Sequence, residues 1–209
     1  MTRAHRCLAA LPVLWLLLAG AAAAQPAGAV DTVIGQADRV RGGTAQPVRP
    51  GMALETGDVL TTGPAGRLRI RFADGSTAVL GAASTLTIAR FANADGGAAG
   101  GGARDAMLDL VTGIVRSIAE TVRPGSRFEV RTPTAVASVR STEWIVESTP
   151  EGTGVLALAG RVAVNGAAGG AVVLDPGEGT DVAPGRPPGP AVPWPPARVG
   201  RVTDATTLP

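Results

Sequence analysis

The chain has 209 residues, with 19 Lys+Arg against 17 Asp+Glu, one His, one Cys and no Tyr. Every basic residue is arginine, and the single histidine and cysteine, His5 and Cys7, sit within the first ten positions. Beyond them no Ser-His-Asp triad, cysteine nucleophile, Schiff-base lysine or usual zinc ligand set can be assembled, so neither an enzyme nor a bound cofactor or metal is expected.

Arg3 and Arg6 precede an apolar run over residues 8–18, and Ala22-Ala23-Ala24 stand before Gln25. This is the pattern of a secretory signal peptide over residues 1–24. The apolar stretch falls short of the ~20 residues that a spanning helix needs. Cleavage, rather than retention as an anchor, is therefore expected, leaving a periplasmic or secreted chain that does not span the membrane. Cys7 leaves with the signal, so no disulfide can form and stability must come from the core. Losing Arg3 and Arg6 also brings arginine into balance with Asp+Glu at 17 each. A neutral mature chain gives no electrostatic footprint for a nucleic-acid partner.

From residue 30 the chain reads as short apolar runs separated by regular turn signals. Pro50-Gly51, Gly57-Asp58, Gly63-Pro64, Asp74-Gly75 and Gly81 mark the breaks. Leu68, Ile70 and Phe72 alternate with Arg67, Arg69 and Arg71, the period of a half-buried strand with an arginine-lined outer face. Asp74-Gly75 predicts a tight hairpin into residues 76–80. Residues 93–103 are Gly-rich and predict a loop. Residues 107–118 fit helix and strand periods alike, with Val111, Ile114, Val115 and Ile118 favouring strand. Phe128 and Val130 then alternate with Arg127, Glu129 and Arg131.

The stretch 131–148, RTPTAVASVRSTEWIVES, predicts two strands meeting at a tight corner near Arg140-Ser141. After it, Leu156, Leu158, Val162 and Val164 flank Gly160, an echo of the earlier LVTGIV. Such punctuation predicts an all-β fold, a compact antiparallel β-sandwich or β-roll of many short strands. Residues 184–209 are Pro-rich and predict a disordered, extended tail.

Two of these segments carry a resemblance. Gly51, Leu54, Gly57, Asp58, Leu60 and Thr62, followed by Asp74-Gly75-Ser76, and then Thr132, Pro133, Ala135, Ala137, Val139, Arg140, Thr142 and Val146, resemble in order the pattern of the FecR domain. Ser141 stands where that family usually has Gly, and Trp144 where it usually has Phe. The resemblance implies a FecR-like β domain over residues 30–183 and a place in envelope signalling. Family members commonly join such a domain to a cytosolic anti-sigma segment and a membrane helix; with an apolar run starting near residue 8, a stand-alone exported domain is expected instead.

Six residues stand out as candidate interaction or structural residues. Arg67, Arg69 and Arg71 read first as a solvated face, paired across strands with residues such as Glu129, and second as a site for an anionic envelope polymer. Arg140, among small residues, is expected to hold its corner through carbonyls or Glu143. Trp144 reads as core. Trp194, in Pro-Trp-Pro-Pro, reads as an exposed recognition element on an extended tail. Asp58 and Asp74 read as turn residues. The function expected is a non-enzymatic protein–protein interaction or signal-sensing module, its partner an envelope or inner-membrane protein; the alternative is a glycan- or lipid-binding module using the Arg67/Arg69/Arg71 face.

Overall fold

The computed structural model describes residues 26–93, 104–119, 126–139 and 142–208. The expected signal peptide, the Gly-rich stretch 94–103 and Arg140 lie outside the described residues. The strands, in chain order, are β1 (Gly28–Ile34), β2 (Ala37–Arg41), β3 (Thr44–Pro47), β4 (Ala53–Leu54), β5 (Val59–Thr62), β6 (Arg67–Phe72), β7 (Thr77–Leu80), β8 (Thr85–Asn93) and β9 (Arg104–Ile118). They continue with β10 (Arg127–Arg131), β11 (Ala135–Val139), β12 (Glu143–Thr149), β13 (Gly152–Ala159), β14 (Val162–Gly166), β15 (Ala171–Leu174), β16 (Glu178–Val182) and β17 (Val192–Pro193). One helix, α1 (Pro196–Ala205), closes the chain.

Hydrogen-bond pairing arranges these strands in two layers, not closed into a barrel. The first runs β4, β1, β6, β7, β9, β12, β13, β16, β17. The second runs β3, β2, β5, β8, β9, β10, β11, β14, β15. All the neighbours are antiparallel except β9 and β10. The all-β expectation holds, with that parallel pair as an addition to it.

Strand β9 belongs to both layers. Its first part pairs with β8 and β10 in the second layer, and residues 113–118 pair with β7 and β12 in the first. The change falls at Gly113, where φ is +95° and an added Cβ would overlap Ser84. Before it Ala106, Leu108 and Leu110 point inward; after it Val115 and Ser117 do. Just before it, Thr85 and Leu86 pair with Thr112 and Leu110, which leaves Val111 as an extra residue and changes the inward phase from even to odd positions. That slip is why the segment fits no single period in the sequence. Buried hydroxyls secure the crossing: Ser84 Oγ accepts from Ile114 N (3.0 Å), and Thr62 Oγ1 accepts from Ser84 N (2.9 Å) while donating to Gly81 O (2.6 Å).

The space between the layers is filled by one apolar core in which all three phenylalanines and Trp144 form a chain of rings. Phe91 stacks on Phe72 (centroids 5.4 Å apart), Phe72 meets Phe128 edge-on (5.9 Å) and Phe128 meets Trp144 edge-on (5.3 Å). Phe72 and Trp144 come from the first layer, Phe91 and Phe128 from the second, so the contacts cross the interface at each step. Trp144 is fully buried, in the place read as core.

The Pro-rich segment departs from expectation. Instead of an extended tail, residues 192–208 form a strap of β17 and α1 lying on the outer face of the first layer. Trp194 is only 6 % exposed and clusters with Ile114, Ile145, Leu156 and Val202. Composition argues for an extended chain only where nothing is available to bury, and one Trp and one Val at suitable spacing supply enough apolar surface to anchor this one.

Candidate functional site on the outer face of the first layer

Because side chains alternate along each strand, register places outward residues in rows across the sheet. One row runs Arg67, Gly81, Ile114, Glu147, Gly154 and Asp181; the next runs Arg69, Val79, Arg116, Ile145, Leu156 and Gly179; a third runs Arg71, Thr77, Ile118 and Glu143. The strap follows the first row. Arg198 grips Asp181 with both Nη atoms (2.6 and 2.7 Å), and Arg201 grips Glu147 (2.7 and 3.1 Å). Arg67 Nε donates to Ala205 O (3.3 Å) at the end of the helix. Trp194 lies flat on Gly179, where any Cβ would overlap its ring, with the Arg198 guanidinium 3.4 Å above that ring.

The arginine stripe is therefore divided. Arg67 holds the strap. Arg71 Nη2 reaches Asp31 Oδ1 at 3.3 Å, and Arg69 Nη1 lies 3.7 Å from Asp31 Oδ2. Glu129, the partner expected for the stripe, is in the other layer, where it faces Arg127 and Ser138; Asp31 on β1 takes its place. Glu143, expected to serve Arg140, receives Arg116 through Nε (2.6 Å) and Nη2, and Arg140 itself lies outside the described residues.

Arg69, Arg71 and Arg116 border a cleft of about 340 Å³ that also holds Thr77, Val79 and Ile118, with Thr206, Thr207 and Leu208 of the strap forming one wall. Arg71 is 61 % exposed as a side chain and Ile118 is 42 % exposed. Three guanidiniums thus face two carboxylates around an open, partly apolar floor. Arg116 went unremarked in the sequence because it sits in an apolar run whose inward phase slips at Gly113. A larger cleft of about 550 Å³, walled by Val111, Pro133, Pro150 and Pro184, has no charged lining residue among the described residues.

Trp194 is not an exposed recognition element: it is buried under its own Arg198. Asp58 and Asp74 both serve turns. Asp74 Oδ1 accepts from Ser76 N (3.0 Å) and Ser76 Oγ (2.5 Å) in the hairpin. Asp58 is also fully buried and bound by Arg41. Thr132 closes the Thr-Pro turn, its Oγ1 accepting from Ala135 N (3.0 Å) and touching Thr153 Oγ1 (2.6 Å).

No curated protein matches the chain. Two crystal structures of a protein from Parabacteroides distasonis ATCC 8503, provisionally called an anti-sigma factor, are similar at 17% sequence identity and a TM-score of 0.49, over 60% of this chain and 54% of that one. The chain spans about half the length of those structures. A family model described as FecR protein matches residues 58–163, from the start of β5 to the start of β14, just over half of the sequence. Asp58, Arg67, Arg69, Arg71, Arg116 and Trp144 fall inside that match; Asp31 and the strap fall outside it. The match takes in Asp58, Leu60 and Thr62 of the first motif segment and the whole of the second, and the chain belongs to the FecR protein family.

Proposed function

We propose that this FecR-family chain is a non-enzymatic interaction module of the cell envelope, periplasmic or secreted after loss of residues 1–24, that serves signalling by binding an envelope or inner-membrane protein. Membership of the FecR family over residues 58–163 carries the reading. The lack of His and Cys after residue 7, and of Lys throughout, supports binding over catalysis. Among the described residues no helix is long and apolar enough to cross a membrane. The test is in-cell crosslinking of a chain tagged after Pro209, followed by capture. One envelope or inner-membrane protein, enriched over an unrelated exported protein, is the expected result.

A second reading, an anionic envelope polymer held at the arginine face, draws on the three guanidiniums around the cleft. Retention on peptidoglycan or lipopolysaccharide that disappears in the Arg69→Ala/Arg71→Ala variant, with no protein captured, would replace the first reading by this one.

A further inference from the structure

We propose that the cleft between Arg69, Arg71 and Arg116 is a binding site for a single carboxylate presented beside an apolar side chain, the chemistry of an acidic peptide segment, and that docking of the strap completes it. The proposal rests on the protein-interaction reading and gives it a location and a partner chemistry.

The charge count sets the ligand. Among the described residues three arginines face two carboxylates, Asp31 and Glu143, an excess of one positive charge. One excess charge matches one carboxylate and falls short of a doubly charged phosphate. The donors are also incompletely used. Arg69 lies 3.7 Å from Asp31, beyond hydrogen-bond range, and the 3.3 Å contact from Arg71 to the same carboxylate is long for a charged pair. Among the described residues Arg116 meets Glu143 through Nε and Nη2, which leaves Nη1 for an incoming oxygen. An anion seated among them would gain forked guanidinium contacts that Asp31, shared between two arginines, does not supply.

The rest of the lining sets what must accompany the charge. Val79, Ile118 and Leu208 give apolar surface, and Thr77 and Thr207 give hydroxyls. A volume of about 340 Å³ suits two or three side chains rather than a folded surface. One wall belongs to the strap, whose far end is fixed by Arg67 on Ala205 O and whose near end is fixed by Trp194. A ligand that touches this wall binds the docked strap better than the open one, so binding and docking stabilise each other.

The test uses the chain from Gln25 to Pro209 and amide NMR shifts. The probe is the acetylated, amidated peptide Gly-Leu-Asp-Leu-Gly; its Asn counterpart, inorganic phosphate and phosphatidylglycerol vesicles are the comparators. Shifts confined to Thr77, Val79, Arg116, Ile118 and Leu208 are expected. Affinity should fall at least tenfold for the Asn peptide and for Arg69→Gln/Arg71→Gln, and at least threefold for Trp194→Ala. Equal binding of the Asn peptide, or no shifts in the cleft, overturns the site. Tighter binding of phosphate or vesicles at these residues moves it to a phosphate-bearing ligand and overturns the peptide assignment. Unchanged binding in Trp194→Ala removes the strap from the site. Capture of an envelope protein that survives Arg69→Gln/Arg71→Gln would keep the interaction reading while overturning the cleft. Peptide binding with no protein captured in cells would do the reverse.

Discussion

Asp58 is a carboxylate held out of water by a forked grip from Arg41, with Nε–Oδ1 at 2.6 Å and Nη2–Oδ2 at 2.7 Å, and by a bond from Glu55 N at 2.8 Å. Burial alone would raise its pKa. The Arg41 hydrogen bonds, the Glu55 N–H and the Arg41 charge together outweigh burial, so the group titrates below its ordinary 3.8. A carboxylate depressed in the folded state stabilises the fold fully above its unfolded pKa, and the contribution is lost as pH falls through the folded value. Asp58→Asn should therefore cost about 1.5–3 kcal/mol at neutral pH, with the gap from the parent narrowing below about pH 4; urea melts at pH 7 and pH 3 check both. Trp144 gives a second measure at this scale. Truncation to Ala should cost roughly 3–5 kcal/mol, and Trp144→Phe should recover more than half, since the edge contact with Phe128 survives and Nε1 has no partner to orphan among the described residues. The burial of Trp144 was legible because it sits in phase with Val146 on a strand. The grip of Arg41 on Asp58 was not, because it joins the end of β2 to a turn 17 positions further on.

Helix α1 is poorly suited to form alone. It has no side-chain N-cap bond, no acidic residue in its first turn and no basic residue in its last, while Arg198 sits towards its positive end and Asp204 towards its negative one. Gly200 faces open space, so nothing in the packing requires it. The helix therefore owes its existence to Trp194, Val202 and the two ion pairs beneath it, and should open locally more easily than the sheet it covers. Gly200→Ala should stabilise it by about 0.5–1 kcal/mol, seen as slower amide exchange over residues 198–206 with little change in β12. At the other extreme, Gly113→Ala should cost about 1–2 kcal/mol for the backbone alone, and more once Ser84 is displaced; a fall in urea midpoint that large, without loss of slope, checks it. Strands β6 and β10 were legible because charge and apolar character alternate strictly along them. The strap was hidden by proline content that masks two anchoring residues, and β9 by a phase slip that no local pattern announces.

Across the whole molecule, strand existence was readable from turn punctuation, whereas strand partnership was not. β1 finds β6, and β11 finds β14, through apolar faces that many registers could satisfy locally. The candidate site shows the same division. Arg69 and Arg71 announced themselves by alternation, but Asp31, Arg116 and Leu208 join them only through pairing and through the docked strap. The layers share one apolar core, a ring chain passes between them and β9 is a member of both, so thermal unfolding of a Trp194→Phe variant, followed by far-UV signal and by Trp144 emission, should show one coincident transition for the sheets. Membership of β9 in both layers has a further consequence for the covalent chain. A protease cut between β8 and β9 would separate the sequence into two pieces without separating the particle, because β9 would still be hydrogen-bonded to β8 and β7 of one piece and to β10 and β12 of its own. Nicked protein should elute where the uncut protein does and fall apart only in denaturant, which makes the peptide bond at that point dispensable to the fold once the fold exists.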